Sequence, residues 1–149
     1  MENTNATGNY YTIGHIVQFT GLTDRTIRNY IASGILKGEK INGLWHFTPE
    51  EVDAFLLNPA VRPSIVAKQH GVVYDFLRCN PETTDQICLV LDLPGGNRDA
   101  VTGFFCTAIT EGDYRDIYFS FDGNGDAPRV FLKGEAGEVL RLVNCYYNQ

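Results

Sequence analysis

Gly21 and Gly34 bracket the segment "LTDRTIRNYIAS" and leave it room for one helix of about three turns. Thr23 or Asp24 can cap its start, and Gly34 offers the left-handed residue that ends it. Ile27, Tyr30 and Ile31 recur at i, i+3 and i+4, so one face of this helix is apolar. Upstream, "TIGHIVQFT" (12–20) places Ile13, Ile16 and Val17 on one face behind a Thr12 cap. Two short helices joined only by Gly21-Leu22 must cross steeply. The turn therefore needs a residue without a Cβ, and Val17 and Ile27 fall at the crossing.

Downstream, "ILKGEKINGLWHF" (35–47) holds an Asn-Gly pair between short apolar runs, the strongest short signal for a hairpin. In "TPEEVDAFLLN" (48–58), Thr48 is an N-cap, Pro49 takes the first helical position and Glu51 completes a capping box. Pro59 and Pro63 then interrupt helix continuation. Helix, tight turn, helix, hairpin and helix is the order of a winged helix-turn-helix. Its second helix turns Arg25, Thr26, Arg28 and Asn29 away from Ile27 and Ile31. Arginine suits guanine O6/N7, asparagine suits adenine N6/N7, and the first turn of such a helix meets base edges in the major groove. The wing adds Lys37, Lys40 and His46 near the DNA backbone. The candidate contact set is Thr23, Arg25, Thr26, Arg28, Asn29, Tyr30, Lys37, Lys40, Asn42 and His46. Tyr30 serves either packing or phosphate, Trp45 plugs the core under the wing, and His15 lies on the surface.

The run "TIGHIVQFTGLTDRTIRNYIASGIL" resembles the opening of MerR-type regulators through Thr26, Ile27, Arg28, Tyr30, Gly34, Ile35 and Leu36. "KINGLWHFTPEEVDAFL" is similar to the compact hairpin and last helix of excisionase-like members of that superfamily. The resemblance spans about residues 11–57 and implies double-stranded DNA binding through helix 23–33 and the wing. Two departures stand out. His46 occupies a wing position that is often arginine, and no long heptad helix follows residue 58 for dimerisation.

The second half reads differently. "SIVAKQHGVVYDFLRCN" (64–80) predicts a helix burying Val72, Val73, Phe76 and Leu77. Strand-like runs follow at 86–93, 100–109, 115–122, 128–133 and 138–147, joined by links short enough for antiparallel pairing. The uniformly apolar "ICLVL" is expected to be central, and 115–122 to alternate as a half-buried strand. The expected fold is thus an all-α winged helix-turn-helix with a small β-hairpin wing, followed by an α+β domain with one helix on a roughly five-stranded, mainly antiparallel sheet. The expected boundaries are a disordered lead-in at 1–9, the DNA-binding domain at 10–58, a Pro-containing linker at 59–63 and a sensor or dimerisation domain at 64–149.

Charge sharpens the division. The chain carries a net −6, with five basic and six acidic side chains in residues 1–65 and seven and twelve in residues 66–149. "DGNGDA" (122–127) imitates the start of a calcium loop, but Ala127 and Lys133 break the pattern, so it reads as a hairpin turn. "PGGNRD" lacks the lysine of a P-loop and is not expected to open a helix, so it does not read as a phosphate cradle. Cys79, Cys88, Cys106 and Cys145 form no C-x-x-C pair, and no metal or cofactor is expected. His70 is the only histidine of the second half and has no nucleophile partner, so the chain is not expected to be an enzyme. No apolar run is long enough for a membrane span, and a cytoplasmic location follows. The expected function is a MerR-like, sequence-specific transcriptional regulator acting as a homodimer. A small-molecule or protein effector would act at the C-terminal domain. The alternatives are an excisionase-like architectural protein and a helix-turn-helix used for protein docking.

Overall fold

A computed structural model describes residues 10–79, 83–122 and 127–149 of the chain. The N-terminal elements are α1 (Ile13–Thr20), α2 (Asp24–Ala32), β1 (Glu39–Ile41), β2 (Leu44–His46) and α3 (Pro49–Leu56). Local chemistry sets each boundary. Thr12, Thr23 and Thr48 accept from the backbone amides of His15, Thr26 and Glu51 and so cap α1, α2 and α3. Gly21 ends α1 in the left-handed region at φ 78°, and Gly34 at φ 84° follows α2. Asn42 and Gly43 both have positive φ and turn β1 back onto β2, with Ile41 opposite Leu44. Ile16, Ile27, Leu36, Phe47 and Phe55 are buried together beneath these elements.

A turn after α3 leads directly into α4 (Arg62–Arg78), where Pro63 sits in the first helical turn and loses no hydrogen bond. Then come β3 (Gln86–Asp92), α5 (Arg98–Glu111), β4 (Tyr118–Asp122), β5 (Arg129–Glu135) and α6 (Ala136–Tyr147). The described sheet of this half has three antiparallel strands in the order β3-β5-β4. This corrects the expectation of about five strands around one helix. Residues 100–109 are helical because the Asn97 side chain accepts from the Ala100 amide at 2.8 Å, and Val101, Phe105 and Ala108 return on one face. Residues 138–147 are helical because Val139, Leu142, Val143 and Tyr146 return at helical spacing to meet the core. Central position belongs to β5, and the apolar β3 is an edge strand.

The faces of the sheet also differ from expectation. Ladder register puts Leu89, Leu132 and Phe119 in one row and Leu91, Val130 and Phe121 in the next. Phe105 of α5 and Val139 and Leu142 of α6 belong to the same core. On the opposite face Ser120 is fully buried rather than solvated, because Gln69 of α4 donates through Nε2 to its Oγ at 2.8 Å and to the Phe121 carbonyl at 3.1 Å. Arg62 clamps Asp122 on that face with two bonds of 2.8 and 3.1 Å. Only Ile65 and Gln69 of α4 are buried, so the expected burial of Leu77 is wrong: it is 75% exposed. Val72, Val73 and Phe76 are half-buried.

α1 lies along β4 and also touches α4 and α5, so the helix-turn-helix closes one edge of the sheet. The lead-in at 1–9 and the turn at 123–126 lie outside the described residues. None of the described helices is long and apolar enough to cross a membrane.

Candidate nucleic-acid interface

α2 is fixed by its inner face. Ile27 is completely buried, and Tyr30 meets the Phe55 ring edge-on at 5.4 Å. The half-buried Tyr30 is thereby committed to packing along its ring, with its hydroxyl end left over. The outer face carries Arg25, Arg28 and Asn29, all exposed. Arg28 donates through Nε to Asp24 at 2.8 Å across one helical turn, with both side chains about 60% exposed. A solvated pair of this kind contributes about 0.3–0.5 kcal/mol. It engages Nε and leaves the two terminal nitrogens for another partner. Arg25 has no ion pair among the described residues. Thr23 spends its hydroxyl on the cap, accepting from the Thr26 amide at 3.1 Å and donating to Thr26 Oγ1 at 2.9 Å. Thr26 is half-buried.

The wing extends from the same core. Trp45 stacks on the buried Phe47 at 6.2 Å, and the Lys40 ammonium lies 5.8 Å from the Trp45 ring centre. Lys37, Lys40 and Asn42 are exposed. His46 is half-buried with its ring 5.1 Å from Tyr10 and its Nδ1 out of solvent, so it faces the body of the domain more than the open surface. Gly38 lets the hairpin sit tightly, since a Cβ there would run into the Phe47 ring and come within 2.9 Å of the His46 carbonyl. Sequence spacing alone did not reveal the Asp24–Arg28 pair or the Tyr10–His46 contact. The first follows the i, i+4 rule and could have been read. The second depends on the strand bridge between Tyr11 and Phe47, whose backbones exchange bonds of 2.7 and 2.8 Å.

His15 is more than a surface residue. Its Nδ1 accepts from the Thr12 amide at 3.0 Å while Thr12 Oγ1 accepts from the His15 amide at 3.3 Å, a capping box with histidine in the usual glutamate position. Burial lowers the His15 pKa from its ordinary 6.5. The folded state thus favours the neutral ring, and a protonated ring cannot accept the Thr12 bond. This stabilisation is complete above pH 6.5 and is lost as pH falls from there toward the folded-state pKa, because the unfolded chain takes up the proton first. On shifting from about pH 7.5 to about pH 5.5, the melting temperature of the wild type is expected to fall further than that of His15→Gln, which keeps an acceptor but does not titrate. Equal falls would remove this role.

Between the helix-turn-helix and α5 lies a cavity of about 380 Å³, lined by Tyr10, Tyr11, His15, Asp99, Cys106 and Glu111 among others. Burial raises the Tyr11 phenol and pushes the Cys106 thiol up to about 12, so both stay neutral at physiological pH. Arg98 and Asp53 pair at 3.4 Å, tying α5 to α3. Burial nevertheless raises the Asp53 carboxyl above its ordinary value.

No curated protein and no solved structure matches this chain. Residues 10–58, which carry both crossed helices, the wing and α3, match the model of the helix-turn-helix domain family, a family of excisionase-like DNA-binding domains.

Proposed function

We propose that the protein is a sequence-specific, double-stranded DNA-binding transcriptional regulator of MerR-like type, active as a cytoplasmic homodimer and not an enzyme. The observation that carries this reading is the exposed outer face of α2, where Arg25, Arg28 and Asn29 stand clear of the core beside a wing bearing Lys37 and Lys40. α2 enters the major groove, and the wing lysines neutralise phosphates. The C-terminal half couples to the reader because α1 touches β4, α4 and α5. A small-molecule effector in the cavity beneath Tyr11 and His15 would bear on both halves at once. The acidic charge of the second half does not prevent this, because exposed charges are screened beyond about 8–10 Å at physiological salt.

Selection of the full chain on random duplex DNA is expected to enrich one motif. Binding to that motif should weaken with salt at a log–log slope of about −0.9 per neutralised phosphate. A salt-steep interaction with no enriched motif would refute sequence reading. Absence of any DNA binding would point instead to a protein-docking use of the fold. The excisionase-like character of the matched family favours a second reading, an architectural protein that bends DNA at recombination sites. Strong bending of the selected site in a circular-permutation gel would favour that reading over the regulator.

A further inference from the structure

α1 closes one edge of the C-terminal sheet, and nothing among the described residues closes the other. β3 pairs with β5 on one side only. The Ala136 amide donates to the Asp85 carbonyl at 2.8 Å, and the Leu93 amide donates to the Pro128 carbonyl at 2.9 Å. These bonds fix the phase of the ladder. Odd-numbered residues from Asp85 to Leu93 turn their backbone groups toward β5, and their even-numbered neighbours turn theirs away. The amides and carbonyls of Gln86, Cys88, Val90 and Asp92 therefore line the free edge. Among the described residues, no backbone hydrogen bond joins them to another part of the chain.

Open edges are ordinarily blunted by lysine, proline, a bulge or short length. β3 has none of these. It runs seven residues, QICLVLD, in unbroken register with β5. Its one charged side chain, Asp92, is neutralised by Arg129 through a second bond of 2.9 Å beside the Nε contact. Val90 is 46% exposed, and Leu140 is 48% exposed on α6, the helix that packs against β3 and β5.

We propose that β3 is the homodimer contact, with a second copy of this chain adding its own β3 antiparallel across a two-fold axis at Leu89. The inference rests on the dimeric reading above and supplies its interface. An axis at Leu89 sets Gln86 opposite Asp92 of the second copy and Cys88 opposite its Val90. All four outward-facing residues then fall in hydrogen-bonded pairs, and every outward amide and carbonyl finds a partner. Moving the axis to Cys88 or Val90 leaves one end unpaired. The side chains match as well: an amide meets a carboxylate, a thiol meets a valine, and Leu89 meets itself. A strand that is its own antiparallel complement suits an isologous contact between identical chains. The Asp92–Arg129 pair also leaves no uncompensated charge on the strand itself, and the repulsion between the net −6 of each chain is screened beyond about 8–10 Å at physiological salt.

The test is sedimentation of the full chain without DNA. The wild type is expected to be a dimer at micromolar concentration. Val90→Pro removes an outward amide without touching the β5 ladder, a position where a strand tolerates proline. Val90→Lys places a charge at the two-fold contact. Either change is expected to weaken dimerisation by about 30-fold or more, with circular dichroism unchanged. Should the proline disturb the strand itself, the lysine variant carries the test alone. A wild type that stays monomeric at ~100 μM would overturn the proposal and leave the edge to an extended segment of some other protein. So would a folded lysine variant that dimerises like the wild type. The Arg25→Ala, Arg28→Ala double variant is expected to dimerise normally, which separates failure of this interface from failure of the DNA reading.

Discussion

The Arg25→Ala, Arg28→Ala double variant is expected to lose specific DNA binding in a gel shift at moderate salt while its circular dichroism stays that of the wild type. Folding should be indifferent to the change. Both side chains are exposed, and the tie of Arg28 to the chain is the solvated pair with Asp24. Binding should not be indifferent. A bidentate arginine–guanine contact discriminates by about 1–3 kcal/mol, so two of them together account for roughly 30-fold to 10⁴-fold in affinity. The single variants divide the roles. An arginine on a base edge should cost affinity for the selected site far more than for random duplex. One on phosphate should weaken both alike and flatten the salt slope by about 0.9. Asp24→Asn frees the Arg28 guanidinium and should leave binding equal or tighter. Undiminished binding of the double variant would remove α2 from the reading role.

The N-terminal third was legible because its signals are local. Thr12, Thr23 and Thr48 cap through their own next turn, Gly21 and Gly34 take the left-handed conformation within two residues of a helix end, and Asn42-Gly43 makes its turn unaided. None of these depends on a distant partner. The second half was legible in the helix that became α4, though not in which of its residues are buried, and where strands alternate or run apolar, as in β3, β4 and β5. In residues 100–109 and 138–147, aromatic and β-branched residues suggested strands, yet Val101, Phe104, Phe105 and Ala108 recur at helical spacing, as do Val139, Leu142, Val143 and Tyr146. The period was present and was outweighed by residue type. The Gln69–Ser120 bond was not legible at all. It joins residues 51 positions apart and makes a polar strand face part of the interior. At the candidate site, the outward set on α2 followed from periodicity, whereas His15 as a cap and His46 against Tyr10 depended on side-chain geometry.

Phe105→Ala is expected to be the most damaging single core change, and to damage the DNA reader without approaching DNA. Phe105 is fully buried. Its ring stacks on Phe119 at 5.6 Å and on Tyr146 at 5.3 Å, and Phe104 meets it edge-on at 5.3 Å. Truncation removes a ring from the junction of α5, α6 and the sheet, where three neighbouring aromatic rings cannot collapse into the gap together. Phenylalanine deletions of this kind cost about 3–5 kcal/mol, a large share of the roughly 5–15 kcal/mol that holds a domain folded. The melting temperature should fall by on the order of 10 °C. The loss should also reach the wing, because buried residues run continuously from Ile16 and Phe47 to Phe105 and Leu142, with α1 against β4. Trp45 is the chain's one tryptophan and stacks on Phe47 in the wing, so its fluorescence reports the N-terminal elements alone, whereas circular dichroism reports every helix. In Phe105→Ala both signals should move down together and keep a common midpoint. If the Trp45 midpoint stays at the wild-type temperature while the dichroism midpoint drops, the two halves unfold separately. The contact of α1 with β4 would then carry no stability between them, and a ligand in the cavity under Tyr11 would have no mechanical path to α2.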